Sequence, residues 1–315
     1  MESGIRHVLE SQQFDRELLE KLFKATDACR HTIDHHNEIS AGLTTRLRGR
    51  IMLQLFYEPS TRTRFSFFMA GKRLGMDVCW TENAREFSSA IKGETLEDTI
   101  RILCEFGPHV IVLRHHETGA AVRAAAVSTV PIINAGDGSG QHPTQALLDI
   151  YTIWKSFGHV AGLKVAMMGD LANGRTVRSL SYLLTKFSEV KIIFISPPHL
   201  TMSNDIKTWL AGKGVDFQET DSPFPALYEA DVVYCTRIQK ERGGQMSDDD
   251  TQRFQIGTRE MSWLKPKTIV MHPLPRNAEI ATEVDSDPRA KYFEQAGNGM
   301  YIRMALLLWV LGEEI

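Results

Sequence analysis

Ile51-Met52-Leu53-Gln54-Leu55-Phe56-Tyr57-Glu58-Pro59-Ser60-Thr61-Arg62-Thr63-Arg64 is the stretch on which the reading of this chain turns. Its first six residues are an apolar run of strand length, and Pro59 ends it. Beyond the turn, Phe65, Phe68 and Met69 fall at helical spacing as an apolar face, with Leu74 near the end and Gly75 as the expected stop. The first N–H groups of a helix lack intrahelical partners and carry the positive end of its macrodipole. Ser60, Thr61 and Thr63 add hydroxyl donors, and Arg62 adds a planar fork that matches phosphate oxygens. Together they describe a phosphate cradle. Read locally, the same residues also describe an N-cap followed by solvated arginines.

Strands and helices alternate outward from this point. Upstream, 12–38 keeps a 3.6-residue rhythm through Phe14, Leu18, Leu22 and Phe23. Downstream, the polar stretch 81–93 reads as an exposed loop, and Thr95 with Asp98 approximates a capping box for a helix carrying Leu96, Ile100 and Leu103. A strand is expected at 110–113 with Arg114 at its end, a helical crossover at 118–129, and a strand at 131–135. His142-Pro143-Thr144-Gln145 then opens a long helix that Gly158 closes. The second half repeats the pattern, with strands at 164–168, 190–195, 231–235 and 268–271, helices including 205–211, and a short segment at 215–218. The acidic run at 248–250 suits the first turn of a solvated helix, and Asp287-Pro288 suits an N-cap followed by proline at the first helical position. Residues 300–311 are apolar on more than one face and should be buried.

Strands joined by helices of crossover length imply parallel sheets covered on both faces. The expected fold is therefore α/β: two doubly wound parallel-sheet domains with an active-site cleft between them. The first domain spans 1–149, the second 150–299, and a C-terminal helix at 300–315 packs back on the first.

Composition narrows the classes. The chain has 315 residues, 43% hydrophobic and 24% charged, with a formal net charge of −3, a globular balance with no nucleic-acid or membrane-surface signature. Cys29, Cys79, Cys104 and Cys235 are scattered without a C-x-x-C pair, which argues against a disulfide framework or structural zinc and fits a reducing compartment. No apolar run approaches the roughly 18 residues that span a bilayer. The N-terminus lacks a secretory core, so the protein reads as cytoplasmic, or as organellar if a transit peptide has been removed. His35-His36 and His115-His116 are adjacent pairs, and adjacent residues do not present a chelating face. No metal or cofactor is implied.

The unusual polar residues follow strand ends, where ligands bind in open α/β sheets. They are Ser60, Thr61, Arg62, Thr63 and Arg64, then Arg114, His142 with Gln145, Arg175, Arg237 with Gln239, and the stretch 272–276. Several cations, one imidazole and no nucleophile or metal set suit a polyanionic substrate and electrostatic stabilisation. There is no G-x-S-x-G elbow and no Walker-type loop. The stretch from Gly169 to Gly174 lacks the middle glycine of a dinucleotide turn.

Phe56-Tyr57-Glu58-Pro59-Ser60-Thr61-Arg62-Thr63 resembles the carbamoyl phosphate signature of the aspartate and ornithine transcarbamoylase family. His142-Pro143-Thr144-Gln145-Ala146-Leu147-Leu148-Asp149 is similar to that family's second shared motif, and the resemblance runs from about Phe14 to Leu311 in the same order. His272-Pro273-Leu274-Pro275-Arg276 and the stretch from Thr236 to Arg242 resemble the aspartate branch rather than the His-Cys-Leu-Pro and Ser-Met-Gly segments of the ornithine branch. Physically, a dicarboxylate needs cationic forks, which Arg175 and Arg237 can supply.

The resemblance implies carbamoyl transfer from carbamoyl phosphate to the amine of L-aspartate, an early step of pyrimidine synthesis. It implies that Ser60, Thr61, Arg62 and Thr63 hold the phosphate. Arg114, Thr63 and His142 would polarise the carbonyl oxygen, and Gln145 with the backbone carbonyls near Leu274 and Pro275 would orient the carbamoyl amine. Arg175, Arg237 and Gln239 would grip the aspartate carboxylates. Ser88 and Lys92 match loop residues that reach a neighbouring subunit's site, which implies a homotrimer with shared sites. A separate regulatory chain is compatible with the sequence. Competing readings are a same-fold enzyme acting on another amine, a non-catalytic scaffold subunit, and a dinucleotide-dependent enzyme.

Overall fold

The computed structural model describes residues 5–35, 42–81, 83–87, 89–239 and 247–315. Cα packing divides the chain into two compact units. One runs to Thr144 and resumes at Asn298–Ile315, and the other is Gln145–Gly297.

The first unit opens with α1 (Arg16–His35) and β1 (Ile51–Phe56), followed by α2 (Thr61–Arg73), β2 (Asp77–Thr81), α3 (Ala84–Phe87), α4 (Leu96–Glu105), β3 (Val110–His115), α5 (Ala120–Val127) and β4 (Ile132–Asp137). Its four strands lie parallel in the order β2-β1-β3-β4. Val110, Ile111, Val112 and Leu113 are all buried, as expected of a central parallel strand covered on both faces. Leu55, Ile111 and Leu113 pack with Leu96 and Ile100 of α4 and Ala120 and Ala124 of α5. Each leucine or isoleucine side chain of this kind contributes about 1.5–3 kcal/mol when fully buried. Thr95 caps α4 as its sequence suggests, its Oγ1 accepting from the Asp98 N–H at 3.1 Å.

Three local expectations need correction. The buried face of α2 is Phe67, Ala70 and Gly71 with Leu74, whereas Phe65 and Met69 are exposed. Gly71 explains the choice: a Cβ there would lie 2.8 Å from Met52 Cε, so the bare backbone lets this face approach the sheet. The stretch 81–93 is not simply a loop, because it holds α3 and a 3-10 turn at Ser89–Lys92. Ala84 is buried in the core beside Tyr57 and Leu96, which draws the polar segment into a helical turn. Strand β2 has no counterpart among the expected elements. It is an edge strand paired only with β1, and its mixed residues are mostly exposed.

The second unit takes up α6 (Pro143–Phe157) from Gln145 onward. It continues through β5 (Lys164–Gly169), α7 (Arg175–Leu184), β6 (Lys191–Ile195), α8 (Asn204–Gly212), β7 (Asp216–Thr220), α9 (Pro223–Glu229), β8 (Val232–Thr236), α10 (Asp248–Arg253), α11 (Thr258–Met261) and β9 (Ile269–Met271). Five parallel strands run in the order β7-β6-β5-β8-β9. Ala166, Met168, Ile193, Ile195, Val233 and Val270 belong to one buried cluster. Ser247 caps α10, its Oγ accepting from the Asp250 N–H at 3.0 Å, so the acidic run does form a first turn. Asp287 departs from expectation. It closes a 3-10 turn at Thr282–Ser286 and binds Arg289 at 2.7 Å instead of starting a helix.

The last helix, α12 (Tyr292–Val310), begins in the second unit and belongs to the first from Asn298 onward. In the first unit its Ile302, Met304, Leu306 and Leu307 are buried, and Arg303 Nη1 donates to Ser66 Oγ at 2.8 Å. Among the described residues, no helix is long and apolar enough to cross a membrane.

Candidate active site

Ligand-binding residues of a doubly wound sheet collect beyond the carboxyl ends of the strands, at the point where strand order reverses. In the first unit that point lies between β1 and β3. The cradle follows β1. Ser60 stands at the N-cap of α2 with extended backbone (φ −160°, ψ 96°), yet its side chain makes no capping bond, so its own helix does not consume the hydroxyl. Thr61, Arg62 and Thr63 form the first turn, where helix N–H groups lack partners. Thr63 is buried and Arg62 exposed.

Arg114 lies near the end of β3, level with Phe56 in register, and its carbonyl accepts from the Tyr57 N–H at 2.8 Å. Its guanidinium is directed by two contacts: Nη2 pairs with Glu58 Oε2 at 2.8 Å, and Nη1 donates to the Ala135 carbonyl at 3.1 Å. His142 follows β4 and is buried, its Nδ1 3.4 Å from Thr144 Oγ1. The cradle, Arg114 and His142 thus sit at the carboxyl ends of three adjacent strands. Beside them His115 is held neutral. Burial pushes its pKa down to about 4, reinforced by the His116 ring stacked 4.3 Å away.

In the second unit the reversal lies between β5 and β8. Arg175 is the first residue of α7 and only 4% exposed, a guanidinium at the positive end of a helix. That placement is unfavourable unless negative charge is nearby. Arg237 and Gln239 follow β8, with Arg237 Nη1 donating to the Ile238 carbonyl at 3.3 Å and Gln239 Nε2 to the Arg237 carbonyl at 3.2 Å. Asp170 joins the two loops. Its fully buried carboxylate accepts from the Asn173 N–H and the Gln239 N–H, both at 3.0 Å. Leu274 and Pro275 follow β9. Leu274 adopts a left-handed φ of 52°, and its N–H donates to His272 Nδ1 at 2.8 Å. Gln145 lies in the first turn of α6 and donates from Nε2 to Asp149 Oδ1 at 2.9 Å.

Some residues stand apart from this pattern. Lys92 is exposed and ends a 3-10 turn rather than following a strand. Ser88 lies outside the described residues. Arg276 is committed elsewhere, forking onto Asp285 and donating to the Tyr292 hydroxyl at 3.0 Å. Glu58 and Asp170 carry no distinctive sequence pattern, yet both orient the site; their one signal is a position within two residues of the ends of β1 and β5. No group of three or more His, Cys, Asp or Glu side chains placed to hold a metal occurs among the described residues.

The first unit therefore presents cations and neutral donors from three neighbouring strand ends, and the second presents them from the ends of β5 and β8. Such groups can bind anions and stabilise developing negative charge without forming a covalent intermediate.

Comparison with known proteins agrees with this chemistry. Residues 6–155 match the model of the aspartate/ornithine carbamoyltransferase carbamoyl-P binding domain, and residues 161–310 match that of the Asp/Orn binding domain. The chain is 53% identical over 303 residues to aspartate carbamoyltransferase 1, chloroplastic, of Pisum sativum, covering 95% of this chain and 77% of that protein. It is 46% identical over 269 residues to the aspartate carbamoyltransferase catalytic subunit of Alkaliphilus oremlandii, covering 84% and 80% respectively. Among solved structures, aspartate transcarbamoylase from Trypanosoma cruzi in complex with N-(phosphonacetyl)-L-aspartic acid aligns with a TM-score of 0.89 at 41% identity, over 96% of this chain and 94% of that one. The two strand-end clusters thus fall one in each of the two domains of a single family, and the chain belongs to the aspartate/ornithine carbamoyltransferase family.

Proposed function

We propose that this protein is an aspartate carbamoyltransferase, transferring the carbamoyl group of carbamoyl phosphate to L-aspartate to give N-carbamoyl-L-aspartate and phosphate in pyrimidine biosynthesis. The aspartate amine attacks the carbonyl carbon, the carbonyl oxygen gains negative charge, and the C–O bond to phosphate then breaks. One amine proton passes to the departing phosphate, which balances the transfer. Ser60, Thr61, Arg62 and Thr63 hold the phosphate. Arg114, Thr63 and His142 donate to the carbonyl oxygen, where fixed donors are worth more in the transition state than in the ground state. Gln145 and the Leu274 and Pro275 carbonyls accept from the carbamoyl amine. Arg175, Arg237 and Gln239 bind the aspartate carboxylates.

The observation that carries this reading is the placement of Arg175 and Arg237 after the two strands of the β5/β8 reversal, in segments tied together by Asp170. Two guanidinium forks suit a dicarboxylate, whereas an ornithine side chain would need acceptors for its ammonium. The test offers purified, folded protein carbamoyl phosphate with aspartate or with ornithine. Formation of carbamoyl aspartate alone is expected; no product from either amine would sink the proposal.

In the same reading the protein is a homotrimer in which Lys92 and Ser88 complete a neighbour's site. The exposed apolar face of the first unit supports self-association, with Phe65 51% and Trp80 50% exposed and Phe68 packed edge-on to Trp80 at 5.2 Å. Sedimentation should give three times the chain mass, and a monomer would refute it. The assignment is to a reducing compartment, cytoplasmic or organellar.

A further inference from the structure

Asp149 closes the His142–Asp149 motif yet touches no substrate in the mechanism above. It lies on α6 one turn beyond Gln145 and is fully buried. Its Oδ1 accepts from Gln145 Nε2 at 2.9 Å and from Gln295 Nε2 at 2.6 Å, while Oδ2 accepts from the Tyr234 hydroxyl at 2.8 Å. Gln295 Oε1 in turn accepts from the His272 N–H at 2.8 Å. His272 Nδ1 accepts from the Leu274 N–H at 2.8 Å, so the imidazole proton resides on Nε2, which donates to Glu279 Oε1 at 2.8 Å. Burial disfavours the Glu279 carboxylate, but the His272 bond and backbone donors outweigh it and hold its carboxyl below the ordinary range.

A buried carboxylate is costly to keep for stability alone, because a well-packed apolar residue is often as good. What an ionised carboxylate does uniquely is accept without donating. Both glutamines must turn their NH2 groups toward Asp149, and both must then present their oxygens away from it. For Gln295 that oxygen meets the His272 N–H, and the same residue's imidazole holds the Leu274 N–H, which anchors the start of the Leu274–Pro275 segment. For Gln145 it becomes an acceptor available to a ligand.

We propose that Asp149 is a positioning residue that makes the site selective for a carbamoyl group. It sets the amide of Gln145 directly and the Leu274–Pro275 carbonyls through Gln295 and His272, so that all of these face the ligand as acceptors. This rests on the proposed function, in which those groups hold the carbamoyl amine. A carbamoyl NH2 donates two hydrogens, whereas the methyl of acetyl phosphate donates none, and a site built of acceptors rejects the analogue that cannot donate.

The test begins with wild-type turnover, whose absence would count against the proposed function and not against this inference. KM for carbamoyl phosphate and inhibition constants for acetyl phosphate and inorganic phosphate are then measured in four variants. Asp149→Leu should weaken carbamoyl phosphate about tenfold, the upper value of one hydrogen bond between neutral groups, and leave the other two ligands within about twofold. Asp149→Asn, which keeps one acceptor for the two amides, should recover most of that loss. Tyr234→Phe leaves both amide bonds in place and should leave the ratio of the three constants unchanged. Gln295→Leu severs only the arm to His272 and decides the matter if Asp149→Leu does not fold. There, a selective loss of carbamoyl phosphate supports the inference, and equal changes for all three ligands overturn it. A ratio shifted as far by Tyr234→Phe as by Gln295→Leu would also overturn it.

Discussion

Gly169→Ala should separate the aspartate half of the reaction from the phosphate half. Gly169 ends β5 at a φ of 119° and pairs with Thr236 of β8. A Cβ added there would stand 2.3 Å from the Thr236 carbonyl oxygen and 3.2 Å from its Cγ2. Unstrained contact needs roughly 3.5 Å, so the Thr236 backbone must retreat by about 1 Å. Overpacking of this kind costs about 1–3 kcal/mol, and the unusual φ adds on the order of 1–3 kcal/mol. The functional cost is more specific. Arg237 follows Thr236 directly, and Gln239 is held to Asp170 just beyond. A displacement of about 1 Å in substrate-positioning groups can cost about 100-fold. Steady-state kinetics should therefore show kcat/KM for aspartate falling by about two orders of magnitude. Inhibition by inorganic phosphate, which reports on the first unit, should change little. Folded Gly169→Ala protein with kcat/KM for aspartate within about threefold of wild type would refute the argument.

Arg62→Ala should lower turnover by orders of magnitude and weaken inhibition by phosphate in parallel; near-normal turnover would remove Arg62 from the cradle. His115 predicts acid sensitivity. Its folded pKa of about 4 lies below the ordinary histidine value of 6.5, so the unfolded chain takes up the proton first. Stability is thus full above about pH 6.5 and declines as pH falls toward 4, by a total on the order of 3 kcal/mol. Urea midpoints measured at pH 7 and pH 5 should show that slope in wild type and a flatter one in His115→Gln; identical slopes would contradict it. Thr95→Ala removes the cap on α4 and should cost about 1 kcal/mol in urea denaturation, with no change in KM for either substrate.

Much of the architecture was legible because central parallel strands and crossover helices have distinct rhythms. The run at 110–113 is apolar without interruption, and the run from Ile51 to Phe56 is broken only by the buried Gln54, because both faces of each strand are covered. Edge elements escaped for the same physical reason. Strand β2 has one neighbour and mostly exposed side chains, so its residues carry no strong pattern. In α9, Pro223 and Pro225 mask a short helix. The buried face of α2 could not be told from its exposed one, because Phe65, Phe68 and Met69 are as apolar as Phe67 and Ala70. Only the approach at Gly71 selects between them.

The sequence alone determined the chemistry that each strand end carries, since hydroxyls, guanidinium groups and imidazole keep their bonding character wherever the backbone places them. Tertiary structure decided which of those groups are oriented and by what. Glu58 reaches Arg114, Asp170 ties the loops after β5 and β8, and Asp149 turns two glutamine amides through contacts up to 146 residues apart in the chain. A hydrogen bond depends on ångström-scale distance and direction, and no local pattern of residues encodes a partner that distant in sequence.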